Sequence, residues 1–376
     1  MQFRDLQKQY QVLKPKMDAA VMDVMASAKY ISGPQVKALE ERLAAYVGVK
    51  HCISCANGTD ALQLCLMAWG VGPGDAVFVP DFTFFATGEV AANLGATTVF
   101  YDVDADTFNG SAASLEKAIQ AVLAEGRLTP RVVKDVDLFG LPADHEAIGA
   151  VAKKYGLKLV EDAAQGFGGS LHGKRNCSFG DAATTSFFPA KPLGCYGDGG
   201  AVFTNDDELD ALLRSFCVHG KGAYKYDNVR LGMNSRLDTI QAAILDVKMD
   251  AFEDYELADV NKAARMYDEE LKDTDVILPT VPEGWYSSWA QYTIRLKDRR
   301  QRDAVQSAMK EMGVPTMIYY PKPMHTQLAF EGRGYYVECP VTEMLCDTVL
   351  SLPMHPYLDR ETVHTVVEAL KKALND

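Results

Sequence analysis

The sequence predicts an α/β protein with a mainly parallel sheet sandwiched by helices, followed by a smaller α+β domain. Through the first 235 residues, short β-rich runs alternate with Ala- and Leu-rich stretches. That order is typical of βαβ units, which form parallel sheets with helices on both faces. After residue 235 the chain has long stretches free of Gly and Pro. Its 376 residues are enough for two or three domains.

Six runs in the first part have the strand pattern, because they are rich in β-branched and aromatic residues. The predicted strands are Ala76–Val79, Thr97–Val103, Val132–Leu138, Leu157–Val160, Ala183–Phe188 and Gly200–Thr204, and the helices between them include Ala61–Trp69, Leu115–Ala124 and His145–Tyr155. In a doubly wound sheet, ligands bind outside the carboxyl ends of the strands. The residues that follow each strand are therefore the candidates for a functional site.

The second part begins with Arg236–Leu271, which we predict to form one or two long helices. A loop rich in Pro and Gly follows at residues 278–284. Beyond the loop, the pattern predicts strands at Trp289–Leu296 and Thr316–Tyr320 and helices at Arg300–Met312 and Arg360–Leu374. We therefore expect a large domain over residues 1–245 and a small C-terminal domain over residues 246–376.

Composition bears on partners and location. Lys and Arg number 38 against 51 Asp and Glu, a net charge of −13, which argues against nucleic acid because such binders neutralise phosphates with basic side chains. No apolar run approaches the roughly 18 residues of a membrane span, and the start of the chain is charged where a secretory signal is apolar. We expect a cytoplasmic protein with neither membrane nor nucleic acid as a partner.

The eight cysteines are scattered along the chain, as is usual in a reducing compartment. Cys52 and Cys55 have the CxxC spacing of a redox pair or of half a zinc site. A second CxxC motif and a nearby His pair are missing. We therefore predict buried structural thiols and no metal.

The first candidate segment is a turn of small residues that opens into a helix. Gly58, Thr59 and Asp60 can present backbone N–H groups at the start of that helix, which is a suitable site for an anion. The alternative is a helix cap made by Asn57 or Thr59. The segment has neither the spacing nor the ending of a P-loop.

The second segment is a predicted strand that ends in Glu161 and Asp162. At the carboxyl edge of the sheet, Asp162 can bind a ribose hydroxyl, a metal or a protonated ring nitrogen. The alternative is a cap for the next segment. The glycines that follow do not complete a dinucleotide-binding fingerprint, which disfavours a nucleotide-dependent oxidoreductase.

The third segment places Lys191 between Pro189 and Pro192, with four glycines following by residue 200. The prolines restrict the backbone, and the glycines let a ligand approach closely. A positioned and partly desolvated amine is suited to a Schiff base with a carbonyl group. Together the three segments offer partners for the phosphate, the ring nitrogen and the aldehyde of pyridoxal 5'-phosphate.

The motifs that carry these segments also carry a resemblance over essentially the whole chain. They are Tyr30–Pro34, Ala56–Leu62, Phe82–Thr87, Val160–Gln165, Ser186–Lys191, Gly197–Gly200, Gly232–Arg236 and Tyr320–Gln327. In this set and order, the chain resembles the DegT/DnrJ/EryC1/StrS sugar aminotransferases, which have the fold-type I architecture of pyridoxal phosphate enzymes.

The resemblance implies roles for individual residues. Lys191 would form the Schiff base and then move a proton, and Asp162 would pair with the ring nitrogen. The other cofactor-binding residues that the family motifs imply are Gly58, Thr59, Phe84, Gln165, Ser186 and Asn234, the last of them contributed by the neighbouring subunit of a homodimer.

The resemblance also implies the reaction. Because Lys191 stands where dehydrating relatives have His, we expect amino transfer from L-glutamate to a keto sugar linked to a nucleotide. The segments Cys52–Gln63, Phe187–Gly200 and Leu352–Leu358 are most similar to the branch that aminates UDP-2-acetamido-2-deoxy-3-oxo-glucuronate for O-antigen and related lipopolysaccharide synthesis. Arg230, Tyr320 and His325 are the candidate substrate contacts.

Two further functions stay open. One is amino transfer to a 3-keto or 4-keto deoxysugar linked to UDP or dTDP. The other is a regulator that binds pyridoxal phosphate without turnover, since a fold does not determine a function.

Overall fold

A computed structural model describes residues 1–224, 226–332 and 334–375. The strands are β1 (His51–Cys55), β2 (Asp75–Pro80), β3 (Thr97–Tyr101), β4 (Thr129–Val136), β5 (Lys158–Asp162), β6 (Ser170–Leu171), β7 (Lys174–Arg175), β8 (Ala182–Ser186), β9 (Gly200–Thr204), β10 (Trp285–Tyr286), β11 (Tyr292–Arg295), β12 (Tyr335–Tyr336) and β13 (Val349–Leu352). The helices are α1 (Leu6–Ser27), α2 (Pro34–Val47), α3 (Gly58–Ala68), α4 (Phe85–Asn93), α5 (Ala112–Glu125), α6 (His145–Lys154), α7 (Asp207–Phe216), α8 (Thr239–Ala251), α9 (Leu257–Leu271), α10 (Arg299–Glu311), α11 (Pro340–Thr348) and α12 (Arg360–Asn375).

The central sheet has eight strands in the order β1-β9-β8-β5-β4-β2-β3-β12. From β8 to β12 neighbouring strands run parallel, whereas β9 is antiparallel to both β8 and β1. The prediction of a mainly parallel sheet is therefore confirmed. Because β1 runs in the same direction as β8, the carboxyl ends of β1, β2, β5 and β8 meet at one edge.

Successive side chains of a strand point to opposite faces of the sheet, so they pack into different hydrophobic clusters. Val77 and Val79 of β2 pack with α3, α4 and α7, whereas Ala76 and Phe78 pack with α5 and α6. Near β1, β8 and β9, helices α2 and α8 contribute a third buried cluster. Strands buried on both faces have nearly continuous apolar sequences, which is why they were visible in the sequence.

The C-terminal part has its own buried cluster, formed by α9, α10 and α12 against the antiparallel pair of β11 and β13. The predicted long helical stretch is confirmed as α8 and α9, joined by a π-helical turn at Phe252–Glu256. The domain boundary between residues 245 and 246 stays a prediction and lies inside α8. Each helix among the described residues is too short or too polar to cross a membrane.

One strand prediction is wrong. Residues 316–320 form no strand, and only an isolated bridge joins Met317 to Ser351 of β13. Pro315 and Pro321 flank the run, and proline lacks the N–H that a ladder requires. Instead of extending the sheet, the segment leads Tyr320 towards the edge where the central strands end.

Candidate active site

The N-terminus of α3 lies against the end of β8. A Cβ atom on Gly58 would lie 2.7 Å from the Cβ of Ser186, so only glycine fits there. The first N–H groups of a helix have no partner within it, and those of Gly58 and Thr59 meet no hydrogen-bond acceptor in the described part of the chain. The predicted anion site therefore has the free N–H groups that it requires.

The alternative prediction of a helix cap is also correct. The Asn57 side chain accepts a hydrogen bond of 2.8 Å from the N–H of Asp60. The buried hydroxyl of Ser235 donates to the Asp60 carboxylate at 2.6 Å and accepts from the N–H of Ala56 at 3.1 Å. The cap leaves the first N–H groups of the helix unused, so the two predictions are compatible.

Asp162 is buried at the carboxyl end of β5. Its carboxylate accepts hydrogen bonds from the hydroxyl of Thr87 at 2.9 Å and from the N–H of Ala164 at 3.2 Å. Burial raises the pKa of Asp162, while these two hydrogen bonds and the charges of Lys191 and Lys134 act in the opposite direction. The carboxylate is therefore held in one orientation and depends on neighbouring cations for its charge.

Lys191 lies on the loop after β8. Its backbone N–H donates to the carbonyl of Phe188 at 2.8 Å, and the guanidinium of Arg4 donates to the carbonyl of Lys191 at 2.8 Å. A Cβ atom on Gly194 would lie 2.5 Å from the Phe188 carbonyl oxygen, so the tight loop requires that glycine. Loss of hydration lowers the pKa of Lys191 to about 8, although Asp162 acts to raise it.

Gln165 and Tyr320 are joined in space although they are far apart in sequence. The Gln165 side-chain amide donates to the Tyr320 hydroxyl at 3.0 Å and accepts from the N–H of Phe139 at 2.7 Å. Burial raises the pKa of Tyr320 well above its ordinary value, so its hydroxyl stays protonated. The Phe84 ring is 55% exposed and its centroid lies 6.4 Å from that of Tyr320.

His325 lies on the same loop as Tyr320 and is held by Asp81, which follows β2. The backbone N–H of His325 donates to Asp81 Oδ1 at 2.8 Å, and its Nδ1 lies 2.6 Å from Oδ2. The Asp81 carboxylate raises the pKa of His325. Asp81 thus connects the end of β2 to a predicted substrate residue.

Arg230 and Asn234 are not connected to the other predicted site residues by hydrogen bonds within the described residues. Arg230 donates to the hydroxyl of Ser215, and its guanidinium lies 5.7 Å from the ring centroid of Phe216 on α7. The Asn234 side-chain oxygen accepts from Arg236.

Four residues at the site were not predicted from the sequence: Arg4, Asp81, Thr87 and Lys134. Thr87 lies within the motif Phe82–Thr87, and Asp81 lies two residues after the predicted strand Ala76–Val79, so the residues beyond each strand end carried a signal for both. Arg4 and Lys134 carry no such signal. Their positions depend on contacts between distant parts of the chain.

The residues at this edge fit pyridoxal phosphate. Free N–H groups at a helix start suit its phosphate, and an oriented carboxylate suits its ring nitrogen. An amine that has lost much of its hydration suits its aldehyde. The donor set at one edge therefore matches each polar part of the cofactor.

Comparison with known proteins agrees with this assignment. Residues 11–371 match the DegT/DnrJ/EryC1/StrS aminotransferase family. The chain is 47% identical to the UDP-2-acetamido-2-deoxy-3-oxo-D-glucuronate aminotransferase of Pseudomonas aeruginosa, over 98% of this chain and 99% of that protein. It is 44% identical to a pleiotropic regulatory protein of Geobacillus stearothermophilus, over 97% and 96%. It is 40% identical to the UDP-N-acetyl-3-dehydro-alpha-D-glucosamine 3-aminotransferase of Acidithiobacillus ferrooxidans, over 99% and 97%.

Two solved structures have the same fold along the whole chain. A DegT DnrJ EryC1 StrS aminotransferase from Brucella abortus has a TM-score of 0.97 at 48% identity, covering 100% of both chains. DesV of S. venezuelae, solved in complex with a ketimine intermediate, has a TM-score of 0.93 at 34% identity, covering 100% of this chain and 98% of that one. The predicted fold type, aminotransferase activity and pyridoxal phosphate cofactor are thereby confirmed. The chain belongs to the DegT/DnrJ/EryC1/StrS aminotransferase family.

Proposed function

We propose that this enzyme transfers the amino group of L-glutamate to the C3 keto group of UDP-2-acetamido-2-deoxy-3-oxo-glucuronate. L-Glutamate leaves as 2-oxoglutarate, and the keto group of the sugar becomes an amine. The observation that carries the proposal is Lys191 beside Asp162 at the edge where the strands end. The 47% identity to a relative named for this reaction supports the substrate.

In this proposal the chain holds each polar part of the cofactor with a different element. Gly58 and Thr59 at the start of α3 would bind the phosphate together with Ser186 at the end of β8. Gln165 would contact the phenolic oxygen of the ring, and Phe84 would cover one ring face with its exposed side chain.

Lys191 and Asp162 would carry the chemistry. When bound, the cofactor supplies an electron sink for the bond that breaks at the substrate carbon. Lys191, whose pKa of about 8 leaves about a tenth of the amine neutral at pH 7, would take a proton from the carbon of glutamate in the first half-reaction and give one to the carbon of the sugar in the second. Asp162 would keep a proton at the ring nitrogen.

Substrate recognition would involve cationic and hydroxyl groups. His325, whose pKa is raised by Asp81, and Tyr320 lie on the loop that faces the site. Arg230 suits a uronate carboxylate or a diphosphate, because both accept paired hydrogen bonds from a guanidinium. Its contacts in one chain are with Ser215 and Phe216 of α7, and the proposal includes a homodimer in which Arg230 and Asn234 complete the partner's site.

The reaction is tested with a panel of UDP- and dTDP-linked 3-keto and 4-keto sugars, with L-glutamate as donor. We expect 2-oxoglutarate to form in equal amount to an aminated sugar, detected by mass spectrometry, with the 3-oxo-glucuronate fastest. Preferential turnover of a 4-keto sugar would replace the proposed substrate. A C3 keto sugar that lacks the carboxylate is the matched comparison substrate. The 40% identical relative is named for such a sugar, a UDP-linked 3-dehydro-glucosamine.

The role of Lys191 is tested with Lys191→Ala. We expect loss of turnover and of the visible absorbance that a covalently held cofactor gives. Lys117→Ala is the control, because Lys117 is an exposed lysine on α5. Normal turnover by Lys191→Ala would contradict the proposed chemistry.

A second candidate function is a regulator that binds pyridoxal phosphate without turnover. This function is considered because the 44% identical relative is named a pleiotropic regulatory protein. The panel separates the two functions, because a regulator would hold the cofactor yet aminate none of the sugars.

We also propose that the protein acts in the cytoplasm. All eight cysteines are buried free thiols, and free thiols are typical of reducing compartments. Fractionation of the cells that produce the protein tests this location.

A further inference from the structure

Lys134 occupies an apolar position of the central sheet. It lies on β4, two residues after Val132, and alternate strand residues share a face. Val132 packs into the core formed with α3 and α4, so Lys134 points towards the same helices. Its side chain is fully buried, and its ammonium donates a hydrogen bond of 2.7 Å to the carbonyl of Thr87 on α4.

Thr87 connects Lys134 to Asp162. Its carbonyl receives the ammonium, while its hydroxyl donates to Asp162 Oδ2 at 2.9 Å. β4 and β5 are parallel neighbours, with Lys134 opposite Val160 and Val136 opposite Asp162. Lys134 therefore lies two residues further from the carboxyl edge of the sheet than Asp162 does.

The surroundings of Lys134 offer little compensation for a buried charge. Among the described residues, no carboxylate oxygen lies within 4.0 Å of its ammonium. The titratable groups that face it are Asp162 on β5, Cys65 on α3 and Glu89 on α4. Loss of hydration lowers the pKa of Lys134 to about 7, and these groups act to raise it. Burying an amine without a carboxylate beside it costs free energy of folding. We therefore expect Lys134 to serve a function.

We propose that Lys134 is a positioning residue that supplies a positive charge behind Asp162 and thereby keeps the carboxylate ionised against the pyridine nitrogen of the cofactor. This inference rests on the proposed role of Asp162. A proton shared by a carboxylate and a ring nitrogen moves to the nitrogen when the carboxylate faces a cation. Without Lys134, burial favours the protonated carboxyl and leaves the ring nitrogen neutral.

The test uses the holoenzyme of Lys134→Met, which removes the charge and keeps the length of the side chain. The cofactor is labelled with 15N in its ring, and solid-state NMR reads the protonation of that nitrogen. At about pH 6, below the lowered pKa of Lys134, we expect the protonated-ring signal in the wild type and its loss in Lys134→Met. We expect unchanged or higher thermal stability of the variant, because an apolar side chain replaces a buried polar one.

Lys248→Met is the matched control. Lys248 on α8 is a second buried lysine with a pKa lowered to about 7 by loss of hydration, but it faces Glu256 and Arg4 rather than Asp162. We expect it to leave the ring signal unchanged. A normal ring signal in Lys134→Met would overturn the inference, whatever the stability of the variant.

Two measurements keep the inference testable if Lys134→Met does not fold. In the wild type, raising the pH should deprotonate the ring nitrogen as Lys134 loses its charge. In Lys134→Arg, whose guanidinium stays charged, the ring should keep its proton to higher pH than in the wild type. Identical profiles would contradict the inference. If the wild type binds no cofactor, the proposed function fails instead.

Discussion

Loss of hydration sets the properties of the individual side chains at the site. It lowers the pKa of Lys191 and of Lys134 and raises the pKa of Asp162. Each shift favours the neutral form, so the amines and the carboxylate depend on one another for their charges. The two amines therefore titrate closer to neutral pH than a free lysine does.

The pH dependence of cofactor attachment tests this state of Lys191. Only the neutral amine attacks an aldehyde, and the pKa of Lys191 lies below its ordinary value of 10.5, at about 8. We expect the rate at which apoprotein captures pyridoxal phosphate to rise about tenfold per pH unit below this value and to level off above it. Stopped-flow absorbance measures the rate. A midpoint close to that of a free lysine peptide would contradict the assignment.

Thr87→Val tests the hydrogen bond to Asp162. The change keeps the shape of the side chain and removes the donor, so a buried carboxylate oxygen loses its hydroxyl partner. We expect the free energy of unfolding of the apoprotein to fall by about 1–3 kcal/mol, measured by urea denaturation. Thr87→Ser retains the hydroxyl and is expected to cost less than Thr87→Val. Equal losses in both variants would show that the methyl group, not the hydrogen bond, matters.

At the scale of helices and strands, the site is positioned by contacts between elements. Helix α3 starts against the end of β8, and the segment before α1 contacts the loop that carries Lys191. The segment at residues 316–320, which forms no strand, places Tyr320 against Gln165. These junctions bring residues from distant parts of the chain to one edge of the sheet.

Gly58→Ala tests the contact between α3 and β8. The new Cβ would lie 2.7 Å from that of Ser186, so the helix start must move and its N–H groups lose their alignment. We expect weaker binding of pyridoxal phosphate, measured as a higher dissociation constant by fluorescence titration. Gly149→Ala in α6 is the control. It has space for a methyl group, its nearest neighbour being 3.9 Å away, and we expect it to gain about 0.5–1 kcal/mol of stability.

On the scale of the whole molecule, one chain brings some of the predicted site residues together, and the proposed role of Arg230 requires a dimer. Lys191, Asp162, Gln165 and Tyr320 meet within the chain, whereas Arg230 lies against α7. A closed twofold dimer offers two identical sites, each of which can borrow residues from the partner. The proposed dimer therefore has a specific consequence for mixtures of variants.

Mixing Lys191→Ala with Arg230→Ala tests this consequence. Each homodimer has two defective sites, but a mixed dimer has one site that takes both native residues. After unfolding and refolding together in equal amounts, we expect about one quarter of the wild-type activity to return. Activity is measured by 2-oxoglutarate formation. No recovery in mixtures shown to contain mixed dimers would place Arg230 in its own subunit's site or outside any site.

Much of the architecture followed from local patterns. Strands buried on both faces have apolar sequences that stand out, and strands separated by helices imply a parallel sheet. Asp162 and Lys191 could be singled out because each follows a strand, where such sheets bind ligands. The strand predicted at residues 316–320 was wrong because its composition suits a strand while its flanking prolines and tertiary contacts do not.

By itself the sequence determined the fold class, the cofactor and the two residues that would carry the chemistry, because each has a signal in nearby residues. Only the tertiary structure decided which groups tune them. Arg4 reaches a carbonyl 187 residues away. Among the described residues, hydrogen bonds connect Lys134 to Asp162 through Thr87, which lies 47 residues before Lys134 in the chain. Hydration and charge depend on what surrounds a side chain in space, and periodicity along the chain does not encode that.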